Sequence, residues 1–209
     1  MRAATNEKRL TELKTAVALT TDGAVLNASI LLVKVLVSQL RPVLTAIAEY
    51  DRHIEALCQT HADYELFASL PGAGSVYAAR LTAALGTDRT RWQTVDELLR
   101  FSGIAPTLER SGKQTWIRWR YFCPKFLRQS FHEYAAESVP HSFWAKAYYN
   151  MQRLKGKGHH AAVRALAFNW IRIIWKCWQT RTPYNELIYL ASLRKSGSPL
   201  LNFIADHPA

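Results

Sequence analysis

Cysteine is scarce in this sequence, with three residues among 209, at Cys58, Cys123 and Cys177. The three lie far apart and form no CxxC pair, so neither a disulfide framework nor a zinc knuckle is predicted. The N-terminus also lacks a charged stretch that leads into an apolar core with a small-residue cleavage site, as a signal peptide would have. Both absences predict a protein of the reducing cytoplasm.

Long apolar runs are also lacking. The most apolar window, residues 23–40, is interrupted by Asn27 and Lys34 and is followed by Arg41 and Pro42. A stretch of about 20 predominantly apolar residues is needed to cross a bilayer. The sequence therefore predicts no membrane span and no membrane partner.

Several catalytic and metal-binding motifs are absent. The sequence has no HExxH and no GxSxG motif, and its basic region holds no close pair of carboxylates. Glu133 and Glu137 lie four apart on one predicted helix face, a pattern that is more often solvated or salt-bridged than metal-binding. We therefore predict no metal site and no cofactor in this chain.

Acidic residues are sparse in the C-terminal two-thirds. Residues 1–70 hold seven Lys or Arg and eight Asp or Glu, whereas residues 71–209 hold twenty and eight. The formal net charge of +11 therefore comes from the C-terminal part, and nucleic acid is the usual partner of such a surface. The 49% of hydrophobic residues can build a core, which excludes a disordered chain.

Apolar residues recur at coiled-coil spacing in the N-terminal part. They step by alternating fours and threes, and Asp51 occupies the one position that breaks the series. The members are Val33, Val37, Leu40, Leu44, Ile47 and Ile54. The pattern predicts a helical stalk whose seam faces a partner; the alternative is a helix that packs on its own domain. Pro42 is expected to kink this helix unless a new helix begins there.

A glycine-rich turn precedes an apolar stripe in LPGAGSVYAARLTAALG, residues 70–86. A helix that begins after such a turn offers free backbone N–H groups and the positive end of its dipole to a phosphate. The pattern is similar to a helix-hairpin-helix, in which Gly72 and Gly74 would contact the nucleic-acid backbone. The alternative is an ordinary turn between two helices.

A serine on a turn is followed by alternating cations and aromatics in LERSGKQTWIRWRYFCPKFLRQSFHEYA, residues 108–135. The Ser111 hydroxyl could attack a phosphate only if a base removes its proton and fixed donors stabilise the phosphate oxygens. Arginine and lysine side chains are such donors. The candidate nucleic-acid contacts are Arg110, Lys113, Arg118, Arg120, Lys125, Arg128, Lys155 and Lys157. The alternative is that Ser111 and Gly112 form one of the common Ser-Gly turns of proteins.

Local signals predict the elements around this stretch. Thr94 and Glu97 form a capping box for a helix that ends near Gly103. Residues 115–122 alternate as a short strand does, and Pro124 can begin another helix. Further helices are predicted at residues 141–154, at residues 160–180 and after Pro183.

Two tryptophans of the basic stretch, Trp116 and Trp119, have two interpretations. Aromatic side chains in alternation more often line a core than a binding face, so packing inside the domain is predicted. The alternative is that they stack on unpaired bases.

Four motifs in order carry a resemblance to a known family. They are LPGAGSVYAARLTAALG, LLRFSGIAPTLERSGK, CPKFLRQSFHEYA and LKGKGHHAAVRALAFNWIRIIW. Together they resemble the C-terminal transposase domain of the IS116/IS110/IS902 family of insertion-sequence transposases, over about residues 64–190. The stalk before them is similar to the coiled-coil segment that precedes that domain.

The resemblance implies roles for particular residues. Ser111 would be the nucleophile that forms a transient covalent link to DNA, and the Leu-Arg pair of the family falls on Leu127 and Arg128. The family also carries a RuvC-like domain whose Asp-Glu-Asp-Asp set binds magnesium, and it uses a structured guide RNA. Residues 1–30 are too few for that domain, so Mg²⁺ is expected only together with it, and the chain resembles a truncated transposase.

The sequence thus predicts a mainly α fold. Residues 1–62 are expected to form an N-terminal segment and helical stalk, residues 63–195 an α-helical transposase domain with a short β element, and residues 196–209 a flexible tail. The predicted function is DNA binding and serine-mediated strand transfer, with DNA, a guide RNA and further copies of the chain as partners. The alternatives are a non-catalytic nucleic-acid-binding remnant and a structural adaptor.

Overall fold

The computed structural model of the chain describes residues 2–17 and 19–206. Within these ranges it contains ten α-helices and one two-stranded sheet, so the predicted mainly α fold is confirmed. The helices are α1 (Arg2–Thr15), α2 (Gly23–Gln59), α3 (Tyr64–Ala68), α4 (Gly74–Leu85), α5 (Val95–Phe101), α6 (Lys125–Ser138), α7 (Phe143–Leu154), α8 (His159–Thr180), α9 (Glu186–Lys195) and α10 (Pro199–Asp206). The strands are β1 (Thr107–Ser111) and β2 (Gln114–Arg118). The chain divides into two compact units at Arg52, each described by itself below; the predicted boundary after residue 62 stays a prediction.

The first unit contains α1 and most of α2. Helix α2 continues through Pro42, so no new helix begins there, and the expected kink stays a prediction. Proline has no N–H to donate to the carbonyl of Ser38 one turn earlier, so this helix lacks one backbone hydrogen bond and still continues. No residue of α2 is buried, and the apolar series from Val33 to Ile54 is between 42% and 58% exposed. The series is thus uncovered within its own unit, and both the partner-facing seam and the helix that packs on its own domain stay predictions.

Helix α2 also meets a length and composition criterion for a membrane span. Its most apolar 18-residue window has a mean hydropathy of 1.8, and none of that window is buried. Among the described residues it is the one helix that meets the criterion. Core helices of soluble proteins and signal sequences near an N-terminus meet the same criterion, so it assigns no membrane to the chain.

The second unit is organised around α8. This helix buries eight residues, against which α5, α6 and α7 pack. The buried residues are Ala162, Val163, Leu166, Ala167, Trp170, Ile171, Ile174 and Trp178. They follow the three- and four-residue spacing of one helix face, which is why the predicted helix at residues 160–180 forms here.

Aromatic side chains fill the centre of this unit. The ring of Trp170 lies 4.8 Å from Trp144 and 5.2 Å from Tyr134, measured between centroids. Buried indoles need partners for their N–H groups. Trp170 donates to the Ser138 hydroxyl at 2.7 Å, and Trp144 donates to the Tyr184 hydroxyl at 2.8 Å. The core therefore leaves neither indole unsatisfied.

The β-hairpin is anchored where α5 ends and α6 begins. The N-cap of the predicted capping box is confirmed at the start of α5, where the Thr94 hydroxyl accepts from the Glu97 amide, while the Glu97 carboxylate accepts from the Gln93 amide at 2.9 Å. After α5 the chain turns at Gly103, whose φ of +72° suits glycine. A Cβ atom at Gly103 would collide with Cys123, just before α6. This close approach brings together the two ends of the segment that carries the hairpin.

The strands differ from the predicted one. A strand was expected over residues 115–122, but β2 ends at Arg118 and pairs with β1, a segment for which no strand was predicted. Thr107 lies opposite Arg118, and Ser111 lies opposite Gln114. Every residue of both strands except Thr107 is exposed. The hairpin therefore projects from the domain and is held together by its own backbone pairing.

The C-terminal segment also differs from the predicted flexible tail. Residues 199–206 form α10, which packs on α7 and buries Leu200. Pro199 occupies the first turn of this helix, where its missing N–H costs nothing. The apolar residues of PLLNFIAD form one face of this helix, but the segment is too short for their spacing to predict a helix.

We predict that Gly72 is required for stability. Its φ is +74°, and a Cβ atom there would lie 2.6 Å from the His141 ring and 3.2 Å from the Glu137 carbonyl. Gly72→Val should therefore lower the free energy of unfolding by about 2–4 kcal/mol. Gly74→Ala is the control, because Gly74 also has a positive φ but no atom within 4 Å of a Cβ, and it should cost only about 1–2 kcal/mol. Chemical denaturation measures both variants, and equal losses would contradict the packing argument.

Candidate nucleic-acid interface

Ser111 lies at the tip of the hairpin. It is the last residue of β1 and pairs with Gln114, so Gly112 and Lys113 form a two-residue loop. Gly112 has a φ of +57°, as the first position of a type II′ hairpin turn requires. The Ser111 hydroxyl is exposed and has no hydrogen-bond partner among the described residues. The side chain is thus accessible, and no base among the described residues is hydrogen-bonded to it.

The predicted cations are not all gathered around this serine. Arg110 and Lys113 are its immediate neighbours at the tip. Arg118 lies four residues further along β2 than Gln114, which is about 13 Å along a strand. Its Nε donates to Glu109 at 2.9 Å, so its charge already has a counterion. Arg110 and Lys113 are thus next to Ser111 in the chain, but Arg110 projects from the opposite face of the hairpin, and Arg118 lies further along β2.

Three further predicted cations, Arg120, Lys125 and Arg128, lie at the foot of the hairpin. Arg128, on the first turn of α6, donates to the backbone carbonyl of Arg120 at 3.4 Å. Its neighbour Leu127 is buried in the core, so the Leu-Arg pair directs one side chain inward and holds the other beside the hairpin. The Nε of Arg120 is buried and has no hydrogen-bond partner in the described part of the chain.

A cavity of about 580 Å³ opens next to these residues. We call it the Trp119 pocket; the lining residues used below are Trp119, Tyr121, Lys125, Arg128, His132 and Arg164. Helices α6 and α8 supply one wall, and the segment after β2 supplies the other. The pocket therefore joins the end of the hairpin to the two longest helices of the basic region.

The cations of this pocket lack counterions. Arg128 and Arg164 have no carboxylate within salt-bridge distance among the described residues. Burial, and then the nearby charge of Arg128, lower the pKa of the Arg164 guanidinium. Glu133 also lines the pocket, but it is paired with Arg80 and accepts from Gln129 at 2.6 Å. The pocket thus holds an excess of positive charge.

The basic turn between α7 and α8 adjoins the same surface. The ring of His160 lies 5.8 Å from that of His132 on α6 and 5.1 Å from that of His159. Burial lowers the pKa of His132. Lys155 and Lys157 belong to this turn and are exposed. Two basic segments that are separate in the sequence therefore meet through a histidine contact.

The two tryptophans of the stretch are not core residues. Trp116 is 43% exposed and Trp119 is 41% exposed, so the prediction that they pack inside the domain is wrong. The guanidinium of Arg164 lies over the ring of Trp119. Trp144, Trp170 and Trp178 fill the core, whereas Trp116 and Trp119 lie at the surface.

The glycine turn lies between α3 and α4. Gly72 faces the side chain of His141, so it has a packing role, whereas Gly74 is exposed with open space around it. A role in phosphate binding remains a prediction for Gly74 at the start of α4, and Gly72 is better explained by packing.

A family profile for the transposases of the IS116/IS110/IS902 family matches residues 64–150. This segment includes the glycine turn, the hairpin and α6. Over this segment the chain matches the transposase domain of the IS116/IS110/IS902 family, and the resemblance drawn from the four motifs is confirmed.

Individual proteins of insertion elements are also similar to the chain. The IS117 mini-circle protein of Streptomyces coelicolor is 29% identical over 163 residues, which cover 78% of this chain and 39% of that protein. The 43.6 kDa protein of IS110 from the same species is 30% identical over 73% of this chain and 38% of its own length. The 42 kDa protein of IS900 from Mycobacterium paratuberculosis is 29% identical over 68% and 36%. The matches thus span less than two-fifths of the length of each relative.

Two pocket residues, Arg164 and His132, were not among the candidate contacts. Trp119 was predicted to pack in the core, with stacking on unpaired bases as the alternative. One signal was present: His132 follows Arg128 by four residues, and Arg164 follows His160 by four, so each pair shares a helix face. That spacing does not show that α6 and α8 contact each other.

Proposed function

We propose that this chain is the nucleic-acid-binding and strand-transfer part of an insertion-sequence transposase. The observation that carries the proposal is a basic surface whose Lys125, Arg128 and Arg164 lack counterions among the described residues, beside a hairpin whose tip exposes Ser111. Transposases act on DNA, and a basic surface binds the phosphate groups of DNA without reading its bases.

In the proposed reaction, the Oγ atom of Ser111 attacks the phosphorus of a DNA phosphodiester. A bond forms between Oγ and phosphorus, the bond from phosphorus to a sugar oxygen breaks, and the departing oxygen takes a proton. Lys113, in the loop beside Ser111, would stabilise the charge that grows on the other phosphate oxygens. The phosphodiester energy is kept in the serine link, so a second sugar hydroxyl can later displace the serine.

The proton acceptor for Ser111 must come from outside the described residues. No group of three His, Cys, Asp or Glu side chains that could hold a metal ion occurs among them. The Mg²⁺ that the resemblance implies therefore does not fit the residues described, and no step above depends on it. The proposal assigns the metal-binding chemistry to the RuvC-like domain of the family.

The stalk is proposed to join copies of the chain. Its exposed apolar series has the spacing of a coiled-coil seam, and such a seam gains stability only when it is covered. A structured guide RNA is proposed as a second nucleic-acid partner, because the basic surface extends over both the hairpin and the α7–α8 turn. The proposed location is the cytoplasm, where the genome lies.

A non-catalytic nucleic-acid-binding remnant is the second candidate function. The observation that favours it is the absence of a base next to Ser111 in the described part of the chain. A structural adaptor is a third candidate, in which the positive charge serves only solubility. Binding experiments separate the adaptor from the other two.

We expect the α7–α8 turn to contribute to nucleic-acid binding. The double variant Lys155→Ala/Lys157→Ala should weaken duplex binding by about tenfold at roughly 100 mM salt, because two phosphate contacts are lost. Fluorescence anisotropy with a labelled duplex measures the effect.

The matched control is Arg194→Ala/Lys195→Ala, which removes the same charge from the exposed end of α9. This control should change affinity less than threefold if the partner binds at the hairpin and the α7–α8 turn. Equal losses in both double variants would mean that net charge alone governs binding. No binding by the unmodified chain would leave the adaptor as the remaining function.

A further inference from the structure

The Trp119 pocket has features that contact with a duplex backbone alone does not explain. A phosphate needs only exposed cations on a surface, and the hairpin tip and the α7–α8 turn already provide them. Here the cations lie around a cavity of about 580 Å³ with an aromatic wall. The cavity is within the size range of pockets that hold small organic ligands, about 300–1,000 Å³.

The aromatic wall is available for stacking. Trp119 is 41% exposed and Tyr121 is 79% exposed, although large aromatic side chains are usually buried in domains of this size. The guanidinium of Arg164 lies over one face of the Trp119 ring. A planar group would therefore stack on the other face of the indole or on the exposed Tyr121 ring.

The charges of the pocket define the rest of the ligand. Arg128 and Arg164 have no carboxylate counterion in the described part of the chain, and Lys125 lies on the first turn of the same helix as Arg128. Glu133 is occupied by Arg80 and Gln129. The pocket thus combines a flat apolar face with a group of cations, which suits a planar ring that carries a phosphate.

We infer that the Trp119 pocket binds one unpaired nucleotide of a nucleic-acid strand, with its base stacked on Trp119 and its phosphate on Arg128 and Lys125. The inference rests on the proposed function and adds the class of ligand to it. A base inside a duplex is stacked on both faces and cannot enter the pocket, so the ligand is single-stranded or locally unpaired. DNA and RNA share this chemistry.

The test compares four ligands of equal length with the whole chain: oligo(dT), oligo(rU), an abasic deoxyribose-phosphate strand and a duplex. Trp119→Ala should weaken binding of oligo(dT), oligo(rU) or both by about tenfold, because base–aromatic stacking is lost. The same variant should leave the abasic strand and the duplex within twofold. Trp119→Phe keeps an aromatic face and should restore most of the affinity. Arg128→Gln should weaken the abasic strand as well, because it removes a phosphate contact.

The outcomes separate this inference from the proposed function. If the unmodified chain binds none of the four ligands in a salt-dependent manner, the proposed function fails. If it binds them but Trp119→Ala has no effect, or has the same effect on all four, the pocket inference alone is overturned. A strand with 5-iodouracil at one position should give a photo-crosslink to Trp119 or Tyr121 that mass spectrometry can locate. Crosslinks confined to other residues would also overturn the inference.

Discussion

The affinity of this chain for duplex DNA is expected to fall by about three to four and a half orders of magnitude between roughly 50 and 300 mM salt. Neutralising about four to seven phosphates releases the counterions that were condensed on them, which gives a log–log slope of roughly −4 to −6. The structure supports this range because most of the predicted cations lack a carboxylate partner in the described residues. Specific and random duplexes should behave alike, since backbone contacts do not read sequence.

Variants can assign the slope to individual side chains. The triple variant Arg110→Ala/Lys113→Ala/Lys125→Ala should make the slope shallower by about two to three units. Arg118→Ala should change it by less than about one unit, because Glu109 already neutralises this arginine at 2.9 Å. A flat salt profile of the unmodified chain would contradict the hypothesis that the chain binds nucleic acid. A larger change from Arg118→Ala than from the triple variant would show that the hairpin rearranges on binding.

The helices of the second unit could largely be predicted because their signals are local. The capping box at Thr94 and Glu97, the apolar spacing of residues 160–180 and the glycine at residue 103 each act within one or two turns of chain. Helix α10 was missed because eight residues give a weak periodic pattern, and its stability comes from packing of Leu200.

The sequence predicted many residues of the candidate site but not how the fold arranges them. The alternation of cations and aromatics after Ser111 correctly indicated a strand, but it could not show that β1 pairs with β2, that the strand is exposed or that Arg118 is neutralised by Glu109. Trp119 was assigned to the core because aromatics usually are buried. Trp144, Trp170 and Trp178 already fill the core. Which tryptophans become buried depends on the whole fold and cannot be predicted from local spacing.

The largest expected effect of a single substitution is at Ser111. When the RuvC-like domain of the family is supplied in the same polypeptide, Ser111→Ala should abolish covalent protein–DNA adducts and recombination. The methyl group cannot form the bond to phosphorus, and no other hydroxyl lies on the two-residue loop at the tip. DNA affinity should stay within about twofold, because the serine side chain is exposed and makes no hydrogen bond.

The matched control is Thr115→Ala, which removes an exposed hydroxyl from the same hairpin. Thr115 lies opposite Arg110, one position from Ser111 along the register, so the two hydroxyls project from opposite faces of the hairpin. The control should therefore keep adduct formation near that of the unmodified protein. Adducts are measured by denaturing electrophoresis of labelled DNA after the reaction, with a binding assay on the same samples. Adducts at full yield in Ser111→Ala would show that another residue is the nucleophile. Loss of adducts in both variants would show that the hairpin must fit the DNA as a whole, and the role of Ser111 would then rest on mass-spectrometric mapping of the linked peptide.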